Sequence, residues 1–305
     1  MALPYLLREN GKSGLHRRAV FTCDFAHLPE LTSKEGVLEE NVCHFDAIGH
    51  FGSGGEGSKW YGGLKSMDEA KSLILKGWQD GATKASSAAS EGGMISTLTQ
   101  PESIRRRPIW GNEGDELSVE RALEGNWDLA YRTMSRVRTY GSKIVSLGAQ
   151  FGGNCDKSAD QLFWSGAQIV VAAELLEMAG YQCEIRGLHC NRFYEGDGAQ
   201  SVIEFRAKEA GDPLRLDAIA SIFAHAGVFR TYGFMAICRM PWQVGTGLGQ
   251  TIEGDRADQL IEGVVAEGNM APVDVMMPLA YDKATAVRNI VATITKITGE
   301  GGDDE

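Results

Sequence analysis

The sequence lacks several features that would define whole classes of protein. A membrane-spanning helix needs about 18 consecutive apolar residues. No apolar run in the 305-residue sequence approaches that length. The N-terminal stretch MALPYLLREN has neither a long apolar core nor a cleavage-like site, so no signal peptide is expected. The six cysteines have no regular spacing, which argues against a secreted disulfide framework. We therefore expect a soluble protein of the cytoplasm.

The chain also has fewer positively charged residues than negatively charged ones. The chain has 30 Lys and Arg against 41 Asp and Glu, a net charge of -11. A protein that coats nucleic acid needs a positive field over a large surface, so nucleic acid is not the expected partner. The Cys43–His44 and His189–Cys190 pairs lack the C-x-x-C spacing of zinc modules. The loop GTGLGQ lacks the spacing of a dinucleotide fingerprint.

The chain divides near residue 140. Residues 1–140 are rich in glycine and read as an irregular α+β region. Ser66 and Glu69 form a capping-box pattern that predicts a helix over about 66–86. Two short helices broken at Gly125 are predicted over about 117–137. The acidic residues 300–305 are predicted to be a disordered tail.

The second part, residues 141–299, alternates strands and helices. Only a turn separates the predicted strands at about 182–190 and 201–208, so that pair should be antiparallel. The pattern predicts an α/β fold in three layers, with a mostly parallel sheet and one antiparallel hairpin strand. We predict strands at about 143–150, 182–190, 201–208, 232–239 and 273–277, and helices at about 160–179, 213–225, 255–266 and 283–298.

The segment KIVSLGAQFGGNCDKSADQLFWSGAQIVVAAELLEMAGYQCEIRGLH carries a family resemblance. With the order of elements around it, it resembles the von Willebrand factor A-like fold of the magnesium-chelatase and cobaltochelatase type. The resemblance implies an A-like domain over residues 141–299 and an AAA+ ATPase as partner. The segment GNEGDELSVERAL is also similar to uncharacterised proteins of tailed phages, which implies no activity. A phage-encoded protein would work in the host cytoplasm.

The resemblance also tests the loop that follows the first strand of this part. In A domains a D-x-S-x-S motif holds a divalent cation there, and its positions fall on Gln150, Gly152 and Asn154. All three depart from the motif and remove its carboxylate, which such cations need. We therefore predict a degenerate site with no metal and no cofactor. Asp156 and Ser158 would be the magnesium ligands only if the loop were remodelled.

Other chemistries fit this loop less well than an ordinary turn. Lys157 and Ser158 match the end of a phosphate-binding P-loop, but Phe151 and Asp156 stand where its two glycines belong. Cys155 precedes a helix N-terminus beside a lysine, which favours a thiolate, but no histidine partner is evident. A weak anion site at the helix N-terminus is the remaining alternative.

Ligands of open α/β sheets bind where the strand order reverses. We place this switch point between the strand that ends at Gln150 and the strand that ends near Arg239, so that loops 151–158 and 241–254 face each other. Trp242 either contacts a partner from an exposed position or covers the sheet edge. The candidate binding residues are Gln150, Gly152, Gly153, Asn154, Asp156, Lys157, Ser158, Trp242 and Thr246.

Three functions follow as hypotheses. The first is a non-enzymatic interaction module that docks on a protein partner, an AAA+ ATPase by the resemblance, through the switch-point face. The second is a metal-dependent enzyme or nucleic-acid-processing factor that uses Glu113, Asp115 and Asp156 with the arginines among residues 105–107 and 132–138. The third is a protein that assembles with itself or inside a virion.

Overall fold

The computed structural model describes residues 5–10, 17–51, 59–91, 102–140, 143–193, 198–245 and 247–299. Thr246 and the predicted acidic tail at 300–305 lie outside these ranges. The described residues form a mixed α/β structure with one large sheet and one small sheet.

The central strands of the large sheet are buried on both faces. Its order is β1-β2-β8-β7-β6-β10, with β9 paired to β7. The central sheet is mostly parallel, with β6 parallel to β7 and β10 and with β2 parallel to β8. Hairpins β1–β2 and β7–β8 are antiparallel, as predicted for the latter. The strands are β1 Tyr5–Asn10, β2 Arg18–Asp24, β6 Ile144–Gln150, β7 Gln182–Arg192, β8 Gln200–Lys208, β9 Gln250–Thr251 and β10 Val275–Met277.

Helices cover both faces of this sheet. On β2, Ala19 and Phe21 belong to the main core, whereas Val20 between them packs into a second core on the opposite face. This alternation follows from the two-residue period of a strand, so the sheet is the middle of three layers. The helices are α1 Val42–Ala47, α2 Met67–Lys76, α3 Gln79–Glu91, α4 Val119–Leu123, α5 Ala159–Met178, α6 Leu216–Ile219, α7 Ala226–Val228, α8 Phe234–Ile237, α9 Asp255–Ala266 and α10 Lys283–Gly299.

The region predicted as a separate N-terminal part contributes to the large sheet, because β2 pairs with β8 along its whole length. Its single predicted helix over 66–86 is two helices, α2 and α3. The break falls at Gly77, whose φ of +82° is left-handed and whose N–H closes α2 on Leu73.

Residues 102–140 form the small sheet, which has the order β3-β5-β4. Of the two short helices predicted over about 117–137, the first is present as α4, and the second is wrong because most of its range lies in β5. Helix α4 is short, and β5 follows because its backbone groups pair with those of β3. The sheet packs chiefly against elements of its own segment. Its strands are β3 Glu102–Gly111, β4 Glu116–Leu117 and β5 Tyr131–Tyr140.

The strand predicted at about 232–239 is also wrong, because that segment is helical. Segments Ala220–Ala224 and Phe229–Gly233 are π-helical and alternate with α6, α7 and α8. The helix predicted over about 213–225 does not end the helical segment: the chain is kinked at His225, whose Nδ1 accepts from Gly227 N at 3.1 Å, and is helical again after it. Nearly all side chains here are buried, so the apolar pattern has no period that separates a strand from a helix.

Candidate functional site

The loop 151–158 connects β6 to α5 at the carboxyl end of the large sheet. Strand β6 lies between β7 and β10, so β10 occupies the position that we assigned to a strand ending near Arg239. The helix that follows the loop begins with the predicted capping box. Ser158 N donates to Gln161 Oε1 at 2.8 Å, and Gln161 N donates to Ser158 Oγ at 3.2 Å. The predicted turn and helix start are confirmed here.

The first half of the loop is buried against aromatic rings. Phe151 is buried with its ring centroid 5.7 Å from that of Phe229. Gly152 has a φ of +82°, and a Cβ there would lie 2.4 Å from the Phe229 ring. Gly153 is buried as well. Gly152 and Gly153 are therefore packed inside the protein, and their role in binding stays a prediction.

A buried arginine fixes the second half of the loop. Arg230 is fully buried and donates through Nη2 to the carbonyl of Lys157 at 2.6 Å. It also donates to the carbonyl of Trp60 and lies 4.1 Å from the centroid of that ring. Trp60 Nε1 in turn donates to the carbonyl of Cys155 at 3.1 Å. Two loop carbonyls are thus held by side chains from elsewhere in the chain.

Burial lowers the pKa of the Arg230 guanidinium to about 10. Among the described residues, no carboxylate forms an ion pair with Arg230. Backbone carbonyls accept its hydrogen bonds instead. Sequence reasoning missed this residue. The available signal was a charged side chain inside the apolar run VFRTYGF, where a buried charge requires partners.

The two loops that we expected to face each other are in contact. Thr251 N donates to Asn154 Oδ1 at 2.9 Å, which joins β9 to the turn. Trp242, on the same second loop, is only 4 % exposed. It packs against Phe193, and the Arg17 guanidinium lies 5.3 Å from its ring centroid. Of the two alternatives for Trp242, the structure shows the buried one, with the side chain packed at the start of β2 and the end of β7.

Gln150 is likewise buried rather than presented to a ligand. Its Nε2 donates to Asp258 Oδ1 at 3.4 Å, and its Oε1 has no hydrogen-bond partner. Burial, with the charges of Asp255 and Glu262, raises the pKa of the Asp258 carboxyl. The amide therefore lies against a carboxylate at the position where an A domain would hold its cation.

The exposed part of the loop is small. Cys155, Asp156 and Ser158 are exposed, and Cys155 is a free thiol. Lys157 is partly exposed, with its Nζ 3.4 Å from Asp156 Oδ2 and 4.7 Å from the Tyr281 ring centroid. Tyr281 donates to Glu253 Oε1 at 2.7 Å, and its burial beside that carboxylate raises its pKa. The available contacts are thus polar and mixed in charge.

Metal ligands are not clustered in the part of the chain that the structure describes. No group of three or more His, Cys, Asp or Glu there is placed to hold a metal ion. Glu113 and Asp115 follow β3 in the small sheet, whereas Asp156 lies on the loop after β6. The three carboxylates that we considered for metal chemistry are therefore not assembled into such a group.

The small sheet carries a second candidate surface, which we call the arm patch. Its large apolar side chains are exposed to solvent, with Leu123 at 83 %, Val119 at 61 % and Trp127 at 58 %. We define the arm patch as Leu117, Val119, Leu123, Trp127 and Leu129, which lie close together in the chain; Ile109 and Met134 are also exposed, on opposite faces of the small sheet. Exposed apolar residues grouped in this way are typical of protein interaction sites.

The fold and the site define a mixed α/β protein with a short polar loop at the carboxyl end of β6. The chain belongs to the family described as a domain of unknown function, DUF7192, whose sequence profile matches residues 31–296. No curated protein and no solved structure matches it. Among the described helices, none combines the length and apolarity needed to cross a membrane.

Proposed function

We propose that the protein is a non-enzymatic interaction module that docks on another protein. The arm patch is the observation that carries this proposal. Its side chains stand on a small sheet that packs chiefly against its own segment. Leaving such apolar surface in water is unfavourable, at roughly 25 cal/mol per Å², and a partner that covers it would recover that free energy.

Charge around the arm patch indicates the kind of partner. Glu113, Asp115, Glu120, Glu124 and Asp128 are exposed beside it. Residues 102–140 hold seven acidic and seven basic residues, so this acidic cluster is local. Among the cations there whose side chains are described, Arg132 pairs with Glu116, and Arg121 lies 4.0 Å from the centroid of the Trp110 ring. A partner surface that is apolar with a basic rim would complement this arrangement. A second copy of the same acidic patch would not.

The loop 151–158 is the second proposed contact, on the switch-point face. Its backbone is already held by Arg230 and Trp60, so docking would cost little conformational entropy. Cys155, Asp156 and Ser158 are exposed and Lys157 is partly exposed, so a partner can reach these side chains from solvent. By the resemblance of residues 111–186 to chelatase-type A domains, the proposed partner is an AAA+ ATPase.

Co-purification with the products of neighbouring genes tests the proposal. We expect the wild-type protein to recover an ATPase, and expect Leu123→Ser with Trp127→Ser to reduce its recovery at least tenfold. Leu75→Ser is the matched control, because Leu75 is 60 % exposed on α2 and outside the arm patch. Asp156→Ala with Ser158→Ala tests the loop separately. Equal recovery with all these variants would contradict the proposal.

Two further measurements address the competing hypotheses. Calorimetric binding of Mg²⁺ that is lost on Asp156→Ala would favour a metal-dependent enzyme over an interaction module. Light scattering at high concentration tests self-assembly. We expect a monomer, whereas an oligomer that dissociates on Leu123→Ser would assign the arm patch to a second copy of the chain.

A further inference from the structure

The large sheet has a polar pocket beside the candidate loop, with a volume of about 520 Å³. It lies where β2 and β8 begin and β7 ends, and the first turns of α9 form its other wall. We call it the arginine pocket and define it by Arg18, Arg192, Arg256, Gln200, Gln259 and Glu253. We propose that it binds a small ligand that carries two or more phosphate groups.

The strand register places the polar side chains of the arginine pocket in one row. Arg18 of β2 is paired with Gln200 of β8, and Gln200 is paired with Arg192 of β7. Directly paired residues project from the same face of a sheet, so the two arginines flank the glutamine. Arg256 and Gln259 face this row from α9. The pocket is therefore built from rigid elements.

Two of its arginines have no ion-pair partner among the described residues, and the pocket also contains the carboxylate of Glu253. Arg18 Nη1 lies 3.0 Å from Glu267 Oε1. Glu253 Oε1 accepts a hydrogen bond from the Tyr281 hydroxyl at 2.7 Å. Arg192 and Arg256 form no ion pair or hydrogen bond with another described residue. Both are exposed, so each guanidinium is accessible from solvent. Two accessible cations in one pocket stand out in a chain with a net charge of -11.

These groups match phosphate chemistry. The planar guanidinium binds phosphate oxygens through two parallel hydrogen bonds, and arginine keeps its charge at any physiological pH. The glutamine amides add neutral donors between the arginines. The volume of the pocket falls in the range of roughly 300–1,000 Å³ that small-molecule sites occupy. Two separate cations favour a ligand with at least two phosphates over a single phosphate ion.

Isothermal titration calorimetry with inorganic pyrophosphate and with ATP tests this proposal. We expect binding at low ionic strength that weakens as salt is added, because solvent screens exposed charges. Arg192→Gln with Arg256→Gln should weaken binding of both probes at least tenfold. The matched control is Lys71→Gln with Lys76→Gln, which removes the same charge from α2 outside the pocket and should leave binding unchanged.

The two probes distinguish the source of the phosphates. Equal affinities would assign recognition to the phosphate groups alone, and tighter binding of ATP would add a contact to the nucleoside. Absence of binding by both probes at millimolar concentration would overturn the proposal, as would equal binding by the Arg192→Gln/Arg256→Gln variant. Preference for a single-stranded oligonucleotide over both probes would also overturn it, in favour of a nucleic-acid surface. None of these outcomes depends on a protein partner.

Discussion

Replacement of Arg230 by methionine tests how the candidate loop is held in place. Methionine keeps most of the side-chain volume, so the variant removes the charge and the donors without opening a large cavity. It leaves the carbonyls of Lys157 and Trp60 without the hydrogen bonds that Arg230 donates to them. It also removes the contact between the guanidinium and the Trp60 ring, 4.1 Å from the ring centroid.

The expected loss of unfolding free energy in Arg230→Met follows from these contacts. Each buried carbonyl left unsatisfied costs about 1–3 kcal/mol, and a desolvated cation–π contact contributes about 2 kcal/mol. Removing the charge recovers the cost of burying it. The lowered pKa of Arg230, about 10 against an ordinary 12.5, sets that cost at about 3 kcal/mol. The net expectation is that Arg230→Met lowers the free energy of unfolding by about 3 kcal/mol.

Urea unfolding measures the change in the free energy of unfolding of Arg230→Met. Hydrogen–deuterium exchange shows which backbone amides are affected. We expect faster exchange of the amides of residues 152–158 in Arg230→Met, because the loop loses one of the side chains that hold its carbonyls. Arg288→Met is the control, since Arg288 is exposed on α10 and, among the described residues, donates a hydrogen bond to Thr285 of its own helix. Unchanged exchange of the loop, with a stability loss below about 0.5 kcal/mol, would refute the assignment of Arg230 as its anchor.

Three other predictions concern the folded state. Burial lowers the pKa of His189 and His225 to about 4, so below an ordinary pKa of about 6.5 the unfolded chain binds protons that the folded chain does not. The free energy of unfolding should therefore fall by about 2 kcal/mol between about pH 7 and about pH 5.5, as urea unfolding at each pH will show. In His189→Gln it should fall less steeply with pH. Gly152→Ala should destabilise by about 2 kcal/mol more than Gly63→Ala, because both glycines have positive φ but only at Gly152 would a Cβ meet a ring; equal melting temperatures would contradict this. Leu123→Ser should leave stability within about 0.5 kcal/mol of wild type in a thermal scan, since Leu123 is 83 % exposed.

Local patterns in the sequence predict the segment from β6 to β8 well. A short apolar run, a capping box and a long apolar stretch ending at Gly180 predict β6 and α5, and both are present. The turn between β7 and β8 is too short for a crossover, which explains why the antiparallel pairing was predictable. Each of these signals depends on neighbours in sequence.

The same reasoning fails where burial or pairing decides the structure. Segment Phe229–Gly233 is buried all round, so its apolar residues do not distinguish a helix from a strand. Strand β5 was predicted to be helical, and its conformation depends on pairing with β3, which begins far upstream in the chain. A similar limit applies to Trp242, whose burial depends on Arg17 and Phe193.

For the candidate site, the sequence by itself determined the turn after β6, the helix cap at Ser158 and the absence of the carboxylate that an A-like cation site needs. These depend on residue types at fixed spacing. Only the tertiary structure decided that Gln150, Gly152 and Trp242 are buried and that Arg230 and Trp60 hold the loop. It also brought Arg18, Arg192 and Arg256 to one pocket. The physical reason is that burial and charge pairing depend on contacts between residues distant in sequence, which local spacing does not specify.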